Sequence, residues 1–213
     1  MGHGWKPWKW GKRDESGRIV DGPVQRIRTW WLGRMLRKGK VPRGRVLSSQ
    51  EVKTALTGGI RHKGVEFWGI LSIRVFRGTT QTWEDLGVVC VQKITTAFRD
   101  ALVDSLQGAF ANWGNFKYHG CGTGTTAEAN TQTALVTEVG SRATGTQIEG
   151  ATSDIYKSVG TVTPGGTYAI TEHGLFSAAT TGTMMDRSVF SAINVVAADS
   201  IQFSYEATFA AEA

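Results

Sequence analysis

Apolar and polar positions along the chain change their spacing three times. Over residues 24–38, Val24, Ile27, Trp31 and Met35 recur at i, i+3, i+7 and i+11, one face of a short amphipathic helix that Gly39 and Pro42 would stop. Over 43–82 the texture is strand-like. In "EFWGILSIRVFR", bounded by Gly64 and Gly78, Phe67, Leu71, Ile73 and Val75 hold odd positions, with Trp68, Ser72, Arg74 and Phe76 between them. Apolar residues on both faces predict a strand covered on both sides. Residues 93–111 return to helical spacing. Ile94, Ala97, Phe98, Ala101, Leu102 and Leu106 form the stripe, Thr95 or Thr96 can cap the start, and Asn112 and Gly114 mark the end. From Phe116 onward, Thr, Ser, Gly, Ala and Val dominate, and strands are predicted near 116–121, 142–149, 153–163, 167–177, 183–193 and 199–209, with turn signals such as "TPGGT" and "TTGT" between several of them. The pattern predicts a mainly β protein: an antiparallel β-sandwich with one packed α-helix and a long basic N-terminal arm.

Charge sharpens that division. Of the 213 residues, 1–82 carry 18 Lys and Arg against 5 Asp and Glu, a net +13, whereas 83–213 carry 6 against 13, a net −7. This asymmetry speaks to partners more than to fold. It places the expected boundary between Thr82 and Trp83, with a basic, Trp-rich arm over 1–82 and the sandwich domain over 83–213. The first 23 residues show no periodicity and read as an extended segment without a core of its own. Their aromatic and basic side chains, Trp5, Trp8, Trp10, Lys6, Lys9, Lys12 and Arg13, with Trp30 and Trp31 further on, are the candidate partner-binding residues, because exposed tryptophans are costly in water. A hydrophobic content of 40% supports a real core. No apolar run is long enough to span a bilayer, and the charged N-terminus lacks the apolar stretch of a secretory signal. Cys90 and Cys121 make no disulfide framework and are expected to be buried thiols.

Candidate chemistry narrows the picture further. "HGCGTGTTAE" is glycine-rich, but it lacks the spacing of a phosphate loop and leads into another polar segment, so it reads as a loop or bulge. His119 and Cys121 share a strand face and His173 is a third possible metal ligand, yet no second ligand pair follows at site spacing. Glu172 and His173 are sequence neighbours, so a strand points them to opposite faces, which argues against joint catalysis. Ser177, Ser188 and Ser191 sit in no nucleophile-elbow motif. No metal, cofactor or catalytic centre is expected. The arm's alternation of Trp with Lys and Arg suits either nucleic acid or the grooves of an acidic protein lattice.

The pieces "KYHGCGTGTTAEA", "TALVTEVG", "GTQIEGA", "AITEHGLF", "DRSVFSAINV" and "DSIQFSYEATF", in that order, span most of 113–209. They resemble a group of structural proteins encoded by tailed bacteriophages. "LGVVCVQKITTAFRDALVDSLQG" resembles the strand and helix that enter their sandwich, and residues 1–82 lie outside the likeness. The resemblance implies a non-enzymatic virion component, assembled in the host bacterial cytoplasm and oligomeric in the particle. Capsid, neck and tail proteins would be its partners. A capsid decoration or cement protein anchored by its arm is the expected role. A neck, adaptor or tail-fibre subunit is one alternative, and a virion protein with its arm on nucleic acid is another. On this likeness, "AITEHGLF" and "DRSVFSAINV" are neighbouring strands with Ile170, Leu175, Phe176, Val189, Phe190 and Ile193 facing the core. Glu172, His173, Asp186 and Arg187 would then serve turns, strand edges and subunit contacts.

Overall fold

The computed structural model describes residues 31–36, 47–48, 51–52, 55, 66–92, 94–111 and 113–210. The alternating segments become two packed antiparallel sheets. The strands are β1 (Glu66–Arg77), β2 (Thr82–Gln92), β3 (Tyr118–Gly122), β4 (Glu138–Thr144), β5 (Thr146–Glu149), β6 (Ile155–Val162), β7 (Tyr168–Phe176), β8 (Met184–Val195) and β9 (Ser200–Ala210), with the helix α1 (Thr96–Leu106) between β2 and β3. One sheet runs β2-β1-β9-β6-β5 and the other β4-β3-β7-β8. The fold is thus mainly β, two sheets of five and four strands with one short helix.

The inner faces supply the core. Leu71, Ile73 and Val75 of β1 meet Ile201, Phe203, Tyr205 and Ala207 of β9 and Ile170 and Leu175 of β7. The odd–even split read in β1 is real. Trp68 and Ile70 point the other way and are covered by Leu32, Leu36, Leu47, Val52 and Ala55, with Val88 and Val91 of β2. Residues 31–36 are helical, but their buried side chains are Leu32 and Leu36 at i, i+4, not the expected Trp31 and Met35. Trp31 is 53% exposed. Val24 and Ile27 lie outside the described residues.

The boundary at Thr82/Trp83 needs correction. β1 pairs with β2 from Gly69–Gln92 to Arg77–Thr82 and with β9 from Glu66–Ala210 to Phe76–Ser200. A cut there severs a hairpin and removes a strand from inside the sheet, so the folded unit starts no later than Glu66. The charge split misplaced the edge because charge reports what faces solvent, whereas strand membership is decided by inward side chains and backbone pairing.

The stretch predicted as one strand over 142–149 is two. At Gly145 the chain leaves the four-stranded sheet, where β4 pairs with β3, and enters the five-stranded one, where β5 pairs with β6. A Cβ at Gly145 would lie 2.6 Å from the Val159 carbonyl oxygen and 2.9 Å from the His119 ring, so only glycine fits this corner.

α1 closes one end of the sandwich. Thr95 caps it as expected: its hydroxyl accepts from Phe98 N–H (3.1 Å) and donates to the Met184 carbonyl (2.6 Å). Phe98 meets Phe116 edge-on at 5.0 Å, and Ile94 and Ala101 complete the buried side. The helix is shorter than the predicted 93–111. Gly108, at φ +72°, takes the left-handed conformation two residues after Leu106 and ends it, leaving Leu106 82% exposed.

Candidate functional site

Buried polar residues of the four-stranded sheet occupy both of its faces. On the inner face, His119 of β3 and His173 of β7 are fully buried. Nδ1 of His119 lies 3.0 Å from Nε2 of His173, and Nε2 of His119 lies 2.9 Å from Oγ of Ser158 on β6 in the opposite sheet. This chain of hydrogen bonds bridges the sandwich. The His173 ring lies 4.5 Å from that of Phe203. Gly160 makes room for His119, since a Cβ there would sit 2.4 Å from the ring. Burial lowers the His119 pKa to about 3; burial, and then the neighbouring His119, hold His173 well below its ordinary value. Both rings are therefore neutral. In a neutral imidazole one nitrogen donates and the other accepts, so the chain can run in either direction, and both leave Nδ1 of His173 without a partner.

Further along the inner face lies Asp186 of β8. Its Oδ2 accepts from the Ser188 hydroxyl at 2.6 Å, while Oδ1 is buried without a partner, as is the Tyr205 hydroxyl. Burial raises the Asp186 pKa to about 7; the Ser188 hydrogen bond opposes the shift and the Glu128 charge adds to it. Burial also drives up the Cys90 thiol beside it, and takes Cys121 to about 12. Both cysteines are buried free thiols.

The outer face carries a different arrangement. The backbone from Thr123 to Thr137, between β3 and β4, straps across β7 and β8. Glu172 holds it down. Oε1 accepts from Gly124 N–H (3.0 Å) and Thr137 N–H (2.7 Å), and Oε2 from Val136 N–H (3.1 Å) and Arg187 Nε (2.8 Å). Nη2 of Arg187 is 2.7 Å from the same Oε2, and Nη1 donates to the Thr126 carbonyl (3.0 Å) and to Oε1 of Gln132 (3.1 Å). Burial works to raise the Glu172 pKa, but the Thr137 and Val136 amides and the Arg187 guanidinium outweigh it and hold the group below its ordinary value. The glycine-rich turn thus does aim an amide at an anion, and the anion is the protein's own carboxylate. A Cβ at Gly122 or Gly124 would lie 2.5 Å from Oε1 of Glu172.

The strap also seals a seam. β8 is an edge strand, and Oε1 of Glu128 accepts from its Val189 N–H (2.6 Å) and from Nε2 of Gln92 on β2 (2.6 Å). Asn130 O accepts from Thr96 N–H at the start of α1 (2.8 Å). Bonds of this kind occupy edge groups that another strand would otherwise use.

These placements test the expectations directly. Glu172 and His173 do point to opposite faces, one to the strap and one to the core. β7 and β8 are paired neighbours, and Ile170, Leu175, Phe190 and Ile193 lie in the main core. Phe176 is buried on the other face with Leu135 and Met184, and Val189 is only half-buried. The expected strand edge holds for Asp186 and Arg187, which lie on β8, but the expected subunit contacts are overturned: Glu172, His173, Asp186 and Arg187 are 0%, 0%, 0% and 3% exposed. His119, Cys121 and His173 do come together, Cys121 being the register partner of His173. Both His119 nitrogens are already engaged, and no group of three or more His, Cys, Asp or Glu suited to a metal ion occurs among the described residues. Trp5, Lys6, Trp8, Lys9, Trp10, Lys12, Arg13 and Trp30 lie outside the described residues. Sequence reasoning missed Glu128, Ser158 and Tyr205. The only local signal was the Gly122/Gly124 pair, which marks a close approach without saying to what.

The Asp186 geometry carries a pH prediction. Its folded pKa lies above the unfolded value of an ordinary carboxylate, so the fold prefers the proton, and stability from this group falls as pH rises from about 4 to about 7. The lowered His119 and His173 act oppositely, losing stability as pH falls below about 6.5. Asp186→Asn should therefore gain on the parent protein between pH 5 and pH 8, by up to a few kcal/mol. Urea unfolding of both proteins at the two pH values measures this, and a difference that does not change with pH would contradict it.

The chain matches no protein-family model, no curated protein and no solved structure.

Proposed function

We propose that the chain is a structural subunit of a tailed-bacteriophage virion, set on the capsid shell as a decoration protein and anchored by its basic, aromatic N-terminal arm. The observation that carries this reading is where the reactive side chains go. Among the described residues, His119, His173, Glu172 and Arg187, which are suited to acid–base or anion chemistry, are spent joining the two sheets and pinning the strap. Function then rests with surfaces and with the arm.

Two further points support the reading. The phage-like segments coincide with structural parts: "KYHGCGTGTTAEA" is β3 and the start of the strap, "TALVTEVG" its end and β4, "AITEHGLF" β7 and "DRSVFSAINV" β8. The remaining pieces, "GTQIEGA", "DSIQFSYEATF" and "LGVVCVQKITTAFRDALVDSLQG", fall on β5, on β9 and on β2 with α1, so the likeness runs through both sheets. The charge split supplies a cationic arm for acidic neighbours, with repeated lattice contacts adding affinity. Quantitative mass spectrometry of purified particles tests the proposal. A decoration protein should appear in copies that scale with the shell lattice. A single-ring copy number would move it to the neck or tail, and absence from the particle would refute it.

A further inference from the structure

The edge of the five-stranded sheet opposite β2 holds a concavity of about 420 Å³ where β5 turns into β6. Ile148, Ile155, Tyr156 and Phe209 line it, with Glu149 and Asp154 beside them. Ile148 is 51% exposed on β5, whose one strand partner among the described residues is β6. Both carboxylates are exposed, and neither takes part in the ion pairs seen among the described residues. Lys157, the register partner of Ile148, is held by Glu206 at 3.2 Å. The result is an apolar groove with two uncompensated negative charges along an open strand edge. It fits an extended segment that alternates flat aromatic and cationic side chains.

The chain carries such a segment, "WKPWKWGKR" over Trp5–Arg13. We propose that the groove binds this segment of a second copy of the chain. The first described residues, 31–36, pack over β1 and β2 through Leu32 and Leu36, whereas the groove opens at β5, the far edge of the same sheet. A segment rooted at one edge and received at the other makes a heterologous, head-to-tail contact, which builds rings or extended arrays. Tryptophan would occupy the apolar floor, and Lys9 and Lys12 would face Glu149 and Asp154. The inference rests on the structural-subunit reading and names the arm's receptor.

The test uses full-length protein and exposed charges, so folding is preserved and can be confirmed from the thermal transition. Sedimentation at low ionic strength should show concentration-dependent self-association that salt weakens. Glu149→Lys/Asp154→Lys in the groove, and Lys9→Glu/Lys12→Glu in the arm, should each weaken it by about tenfold or more. Mixed together, the two variants should form a complex, because one keeps a native arm and the other a native groove. A chain carrying all four reversals should associate again. A parent protein that stays monomeric, a groove reversal without effect, or a mixture that forms no complex would overturn the proposal, the first pointing to fold-back within one chain. Particles that incorporate the groove-reversed chain normally would remove the groove and leave the subunit reading standing. Self-association as expected in a protein missing from particles would do the reverse.

Discussion

A chain that begins at Trp83 should show no cooperative unfolding transition by heat or urea. It lacks β1, which pairs on one side with β2 and on the other with β9. Leu71, Ile73 and Val75 are each at most 1% exposed in the main core, and burial of such side chains contributes roughly 2 kcal/mol apiece. That alone rivals the whole stability of a typical domain, about 5–15 kcal/mol. The truncation also strips β9 of its partner from Ser200 to Ala210 and leaves β2 without a neighbour. A chain that begins at Val65 keeps β1 and should retain a cooperative transition, at lower stability, because Trp68 and Ile70 lose the cover of Leu32, Leu36 and Leu47. Circular dichroism through a urea titration separates the two. A sharp transition in the shorter chain would show that β1 is dispensable.

Glu172→Gln should destabilise the protein by about 3–5 kcal/mol, the cost of stranding a buried charge. Arg187 would lose its counter-charge in a site 3% exposed, and the carboxamide would turn an NH2 group toward amides that need an acceptor. For a chain of this size, each 1 kcal/mol moves Tm by about 2–4 °C, so the midpoint should fall by on the order of 10 °C. Removing both charges, as Glu172→Met with Arg187→Met, should cost less than the two single changes summed, since no unpaired ion remains. Amide exchange at Gly124, Val136 and Thr137 should quicken in the single variant, because these amides donate to the carboxylate. Strictly additive changes in Tm, or unchanged exchange at the three amides, would show that the strap is held by something else.

Much of this fold is legible in the sequence, for identifiable reasons. Strands β6 to β9 follow from alternation and turn chemistry, which act locally. The opposite faces of Glu172 and His173 follow from strand geometry alone. The failures are non-local. The corner at Gly145 looks like mid-strand because a change of sheet needs one glycine and no turn signature. Asn112 and Gly114 look like the helix end because the apolar stripe and its polar flank run past Gly108, yet one glycine in the left-handed conformation suffices to stop the helix. Glu172 and Arg187 read as surface residues in the sequence because the strap that buries them comes from residues 35 or more positions away from Glu172. Its own sequence, polar and aperiodic, does not reveal what it covers. The partner of the His pair, Ser158, is on a strand of the other sheet, a relation that no spacing rule contains.

The most direct measurement is an electron-microscopy map of the assembled phage particle. The account predicts a two-sheet sandwich repeated across the outer capsid surface, with density for residues 1–30 running from each copy onto its neighbours. A particle whose density is fully explained without this sandwich would contradict it.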